Sequence, residues 1–65
     1  MINMMLARRR SKLTQKQLAK KVGISNIQIS RFETGISSPK ADLLQKIAVE
    51  LGVSLDYLMQ GRNEE

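Results

Sequence analysis

The sequence predicts an all-α fold, a compact bundle of five short helices in one domain, and three observations carry that prediction. The chain has 65 residues, room for one domain. Four of its segments open on a Ser or Thr suited to helix capping and close on Gly: Thr14 to Gly23, Ser25 to Gly35, Ser38 to Gly52 and Ser54 to Gly61. Apolar residues recur at helical spacing, and no useful stretch alternates with the period of two that a half-buried strand requires.

The elements follow in order. A first helix over about 2–11 precedes Ser11, with Met4 or Met5 packing it on the rest. Thr14 and Gln17 have capping-box spacing, which starts a second helix over 15–22. Leu18, Ala19 and Val22 share one face of it, and Gly23 ends it. Ser25 and Gln28 repeat the box for a third helix over 26–34, closed by Gly35. Ser38 followed by Pro39 reads as N-cap and first helical position of a fourth over 39–51. Its core face is Leu43, Leu44, Ile47, Ala48 and Leu51. Ser54 caps a last helix over 55–60, where Val53 and Leu58 complete the core. The domain is expected to span 1–61, leaving 62–65 as a short polar tail.

Composition narrows the chemistry. There is no Cys and no His. That removes disulfides, thiolate zinc sites and thiol nucleophiles, together with the commonest metal ligand and general base. No metal or cofactor is expected. Asp42, Glu50 and Asp56 read as caps and solvated faces rather than as a catalytic carboxylate pair, so an enzyme is not expected. The apolar run Met1–Ala7 is too short for the ~20 residues of a spanning helix, and Arg8–Arg10 follow it instead of preceding it as in a secretory signal. No membrane partner is expected, and the absence of Cys is compatible with a reducing cytoplasm.

The net charge is +5. Residues 1–40 hold nine cations and one anion, Glu33, whereas 41–65 hold two cations and five anions. A basic face on the first two thirds points to an anionic partner, nucleic acid first. Phe32 and Tyr57 are the only aromatics. With Phe32 read as core, the stacking platform that single-strand binders use is missing.

The segment 15–34 carries the functional signal. Gln15, Ala19, Gly23 and Ile29 stand at relative positions one, five, nine and fifteen of a helix-turn-helix. Gly23 permits the left-handed turn, and Ala19 permits the close crossing of the two helices. At ~100° per residue with Ile29 at zero, Phe32 lies near ~300° and Ser25 near ~320°, so the core lies around ~330°. Ser30 (~100°), Thr34 (~140°), Ile27 (~160°) and Arg31 (~200°) face the other way, flanked by Asn26 (~60°) and Gln28 (~260°). Glu33, near ~40°, lies close to the core side. An outward isoleucine on a basic helix suits the thymine methyl of a major groove, Arg31 suits guanine O6 and N7, and Asn26 suits an adenine edge.

The run LTQKQLAKKVGISNIQISRFETG resembles the lambda-repressor-like helix-turn-helix domains of the Xre family, which includes phage repressors and Cro proteins. The stretch from Pro39 through LLQKIAVELGVSLDYLMQG is similar to the rest of that five-helix domain. The resemblance runs from about Met4 to Gly61 and implies a sequence-specific regulator of transcription from a bacterium, phage or mobile element. It implies base contacts from Asn26, Ile27, Gln28 and Arg31. Phosphate contacts are implied for Thr14, Gln15, Ser30, Thr34, Ser37 and Lys40, with Gln15 also bracing the recognition helix. It implies a buried ion pair between Arg8 and Glu33. Lys12 stands where many relatives carry Gly after the first helix, so an unusual turn is expected there.

One recognition helix covers half a site, so a homodimer on a palindromic operator of double-stranded DNA is expected. The acidic C-terminal third offers Leu55, with Tyr57 and Met59, as the dimer contact. The alternative is an antitoxin that binds its toxin and represses its own operon. A protein-interaction or RNA-binding use of the fold is the remaining reading.

Overall fold

A computed structural model describes residues 1–60. Gly61 and the 62–65 tail, with the closing of the last helix at Gly61, lie outside the described residues. Five helices follow one another: α1 (Ile2–Arg10), α2 (Gln15–Val22), α3 (Asn26–Thr34), α4 (Ala41–Leu51) and α5 (Leu55–Gln60). No strand occurs among the described residues.

The two capping boxes form in full. Gln17 N donates to Thr14 Oγ1 at 3.0 Å, and Thr14 N donates to Gln17 Oε1 at 2.9 Å. Gln28 N donates to Ser25 Oγ at 3.2 Å, and Ser25 N donates to Gln28 Oε1 at 3.3 Å. Each box satisfies amides that a helix start leaves without partners. Ser54 caps α5 through Tyr57 N at 3.0 Å.

The first four helices end alike, in a left-handed residue whose successor's amide reaches back five positions. These bonds are Leu13 N to Arg8 O at 3.2 Å, Ile24 N to Ala19 O, Ile36 N to Arg31 O and Val53 N to Ala48 O, the last three at 3.0 Å. This is the Schellman closure. Three of the left-handed residues are glycines, with φ of 82°, 83° and 69° at Gly23, Gly35 and Gly52. The fourth is Lys12, with φ 59°. The unusual turn expected after the first helix is thus a lysine held in glycine's conformation.

The start of α4 differs from the sequence-based expectation. The helix begins at Ala41 with Lys40 as N-cap, and no side chain caps it. Ser38 is not the cap, and Pro39 is not the first helical residue. Lys40 is extended, at φ −71° and ψ 165°, so the fixed φ of Pro39 shapes the connecting loop instead of the first turn. Asp42 lies in that first turn, where a carboxylate complements the helix dipole. Helix α1 likewise ends one residue early, at Arg10.

The core draws on every helix. Met4, Leu18, Ile29, Ile47 and Leu58 are completely buried, and Ala7, Ala19, Val22, Phe32, Leu44, Ala48 and Leu51 surround them. Met1, Leu13, Ile24, Leu43, Val53, Leu55 and Tyr57 pack against this cluster from its margin. Helix α2 lies against both α3 and α4, and α1 bridges α3 and α5. The Asn3 side chain donates to Tyr57 O at 2.7 Å and fixes α1 to α5.

Candidate nucleic-acid interface

The interface is built on α3, whose two sides have separate uses. Ile29, Phe32 and Glu33 are buried and anchor the helix. Asn26, Ile27, Gln28, Arg31 and Thr34 are exposed, and Ser30 is half-buried. Ile27 leaves 59% of its surface in solvent, two residues from the fully buried Ile29. The contrast within one helix comes from its 100° step: neighbouring isoleucines face opposite ways.

Two of the outward side chains have part of their hydrogen-bonding capacity committed. The Gln28 carbonyl serves the Ser25 box, which leaves its amide NH₂ to donate. The Thr34 hydroxyl donates back to Ser30 O at 3.0 Å and Arg31 O at 3.3 Å, so its lone pairs face outward. Asn26, Ile27 and Arg31 make no side-chain hydrogen bond to the rest of the chain among the described residues.

Beneath the helix lies a buried ionic network. Arg8 Nε meets Glu33 Oε2 at 2.6 Å, with the two side chains 10% and 3% exposed. Arg8 Nη2 donates to Glu33 Oε1 at 3.2 Å, so the pair is bidentate. Arg8 Nη1 donates to Leu13 O at 2.7 Å. Gln15 Nε2 donates to Glu33 Oε1 at 3.0 Å. The Arg8–Glu33 pair therefore holds α1, the α1–α2 loop, the start of α2 and the end of α3 in a fixed relation. Such a buried pair is tolerable because its polar atoms are nearly all partnered. The family resemblance implied the pairing of Arg8 with Glu33, and the helical wheel placed Glu33 near the core side. Neither gave any sign of the Leu13 carbonyl, since any residue type could supply that atom. The Met1 amino group adds a further tie at the end of α3, donating to Phe32 O at 2.9 Å.

The remaining sequence-predicted positions surround α3. Thr14 and Gln15 stand at the start of α2, and Ser37 and Lys40 lie exposed in the α3–α4 loop. The Thr14 oxygen accepts from Gln17 N while its own proton remains available. Gln15 uses one amide hydrogen on Glu33 and keeps the other. Ile36 opens the same loop, 36–40, that the resemblance implied would contact the backbone, and it is 75% exposed. On α5, Leu55 and Tyr57 pack partly into the core, whereas Met59 is 48% exposed.

A family model described as helix-turn-helix matches residues 4–58. The chain belongs to the helix-turn-helix family. It is 38% identical over 63 residues to the uncharacterized HTH-type transcriptional regulator YqaE of Bacillus subtilis (strain 168), covering 97% of this chain and 54% of that protein. It is 37% identical over 54 residues to the repressor protein C2 of Salmonella phage P22, covering 83% of this chain and 25% of the repressor. The fold superposes on a crystal structure of the P22 c2 repressor in complex with a synthetic operator. The TM-score is 0.84 at 34% identity, with 91% of this chain and 89% of the other covered. The chain thus spans about half of the YqaE protein and a quarter of the phage repressor. Among the described residues, no helix is long and apolar enough to cross a membrane.

Proposed function

We propose that this chain is a sequence-specific transcriptional regulator, a repressor in the first instance, that binds double-stranded DNA by placing α3 in the major groove. The observation that carries the reading is the outward face of α3. An exposed isoleucine, an arginine unpaired among the described residues and an asparagine stand there on a helix fixed from behind by Ile29, Phe32 and the Arg8–Glu33 pair. Likeness to an operator-bound phage repressor supports it.

In this reading Asn26, Ile27, Gln28 and Arg31 meet base edges, and Thr14, Gln15, Ser30, Thr34, Ser37 and Lys40 meet phosphates. Arg31 supplies a two-pronged donor for guanine, and Ile27 an apolar contact for a thymine methyl. The DNA-binding domain is 1–61. Two copies read a palindrome through contacts on α5 that involve Leu55, Tyr57 and Met59, with Met59 the most exposed. The site of action is the cytoplasm. The matched relatives carry regulator and repressor names, which favours this reading over an antitoxin.

Selection of duplexes from a random pool, followed by sequencing, tests it. The expected product is a palindrome with half-sites about one turn, ~34 Å, apart. Binding should weaken on the order of 10³–10⁵-fold between ~50 and ~200 mM salt if the dimer neutralises about six to ten phosphates. No enriched sequence together with a flat salt response would overturn the proposal.

A further inference from the structure

A second surface, separate from α3, has the chemistry of a protein-binding groove. It lies between the last turn of α2 and the C-terminal half of α4 and has a volume of about 500 Å³. Lys20, Lys21 and Lys46 line it, with Gln45, Val49 and Glu50. Three cations face one anion. The one salt bridge among the described residues is Arg8–Glu33, so Glu50 forms no ion pair with any of the three lysines, and the lining keeps a net positive charge.

Val49 is the informative residue. Every other large apolar side chain of α4 is buried or half-buried, whereas Val49 is 67% exposed. It sits in the same groove as the lysines. A phosphodiester backbone has no apolar group to set against it. An acidic polypeptide has both parts: carboxylates for the ammonium groups and an aliphatic side chain for Val49. Because α4 packs on α2 and α5, the groove lies on a side of the bundle to which α3 contributes no lining residue.

We infer that this α2–α4 groove docks an acidic, leucine-bearing segment of another protein. The inference stands independently of the DNA-binding proposal. Charges at the rim of such a contact chiefly speed and select encounter, so the association should be weak, fast and sensitive to salt.

The test is a titration of the ¹⁵N-labelled chain with three probes: a short blocked peptide of Asp and Glu interrupted by Leu, a poly-glutamate peptide of the same length, and a non-specific DNA duplex. The expected result is amide shifts confined to 20–23 and 45–50 with the leucine-bearing peptide, and weaker binding of poly-glutamate. Reversing Lys21 and Lys46 together to Glu should weaken that peptide about tenfold or more. Val49→Ser should weaken it roughly 3–10-fold through lost apolar contact. Arg10→Glu, on α1 and outside the groove, should change its binding far less. All four positions are exposed, and native amide positions elsewhere in the spectrum verify the fold. Equal binding of both peptides, shifts spread over α1 and α3, or duplex shifting the same amides as strongly would each overturn the inference.

Discussion

Lys12 occupies a left-handed conformation that the other Schellman closures of this chain assign to glycine. For an L-residue with a Cβ, that region costs roughly 1–2 kcal/mol. Glycine returns part of this through the greater freedom of its unfolded chain, about 0.4–1 kcal/mol. Lys12→Gly should therefore stabilise the domain by about 0.5–1 kcal/mol, a rise of roughly 2–8 °C in melting temperature for a domain of this size. Gly23→Ala is the converse. A Cβ there meets nothing within 4 Å, so its cost is the φ of +82° alone. It should lower the stability by about 1 kcal/mol. A melt in which Lys12→Gly leaves the midpoint unmoved or lowers it would show that the turn is unstrained. Glu33 is the other decisive residue, because four hydrogen bonds converge on the Arg8–Glu33 pair and its neighbours. Glu33→Gln keeps the shape and strands a buried guanidinium. A loss of ~3–5 kcal/mol is expected in a denaturant titration, a large share of the stability of so small a domain. The double variant Arg8→Met with Glu33→Leu should recover much of it, and an unchanged midpoint in Glu33→Gln would mean that the pair contributes nothing net.

Among the elements, α3 was the most legible from sequence because its information is local. Ser25, Gln28 and Gly35 mark its ends, and the 100° step separates Ile29 and Phe32 from Ile27 and Arg31. The start of α4 was less so. Ser38 and Pro39 have the right types for a cap and a first turn, yet the path of the loop, set by tertiary packing, delays the helix to Ala41. The outward Val49 agrees with the helical spacing, since the core face of Leu43, Leu44, Ile47, Ala48 and Leu51 leaves it out and it lies about 200° from Ile47. The proposed division of labour on and around α3 gives a further prediction. Arg31→Ala should cost about 1–3 kcal/mol on the selected site and relax preference at one base pair. Lys40→Ala, in the loop, should weaken all duplexes alike and lower the salt slope by about one. Binding measured on the selected site and on single-base variants separates the two. If Arg31→Ala weakens every duplex equally, Arg31 holds a phosphate.

At the scale of the whole molecule, size decides how specificity is reached. The described residues extend 31 × 22 × 21 Å, shorter than the ~34 Å between equivalent major-groove faces of one turn of duplex. On the proposed function, a single copy presenting a single α3 would read a single half-site, and a palindrome would take two. In the proposed dimer the basic first two thirds of each chain would repel the other, which favours contact through the acidic third. There Leu55 and Tyr57 are already engaged with the core and Met59 is open to solvent. One side chain of this kind with its margins falls well short of the ~800 Å² per partner of a standard stable interface. Association should accordingly be weak in free solution. On a palindrome, the duplex holds the two copies side by side, and a weak contact acts at an effective concentration of order millimolar. The parent should thus bind the full site more than a hundredfold tighter than a lone half-site. Met59→Glu, at an exposed position, should fold normally and keep its half-site affinity while losing most of that advantage. Equal preference for the full site in parent and variant would place the dimer contact elsewhere on the surface.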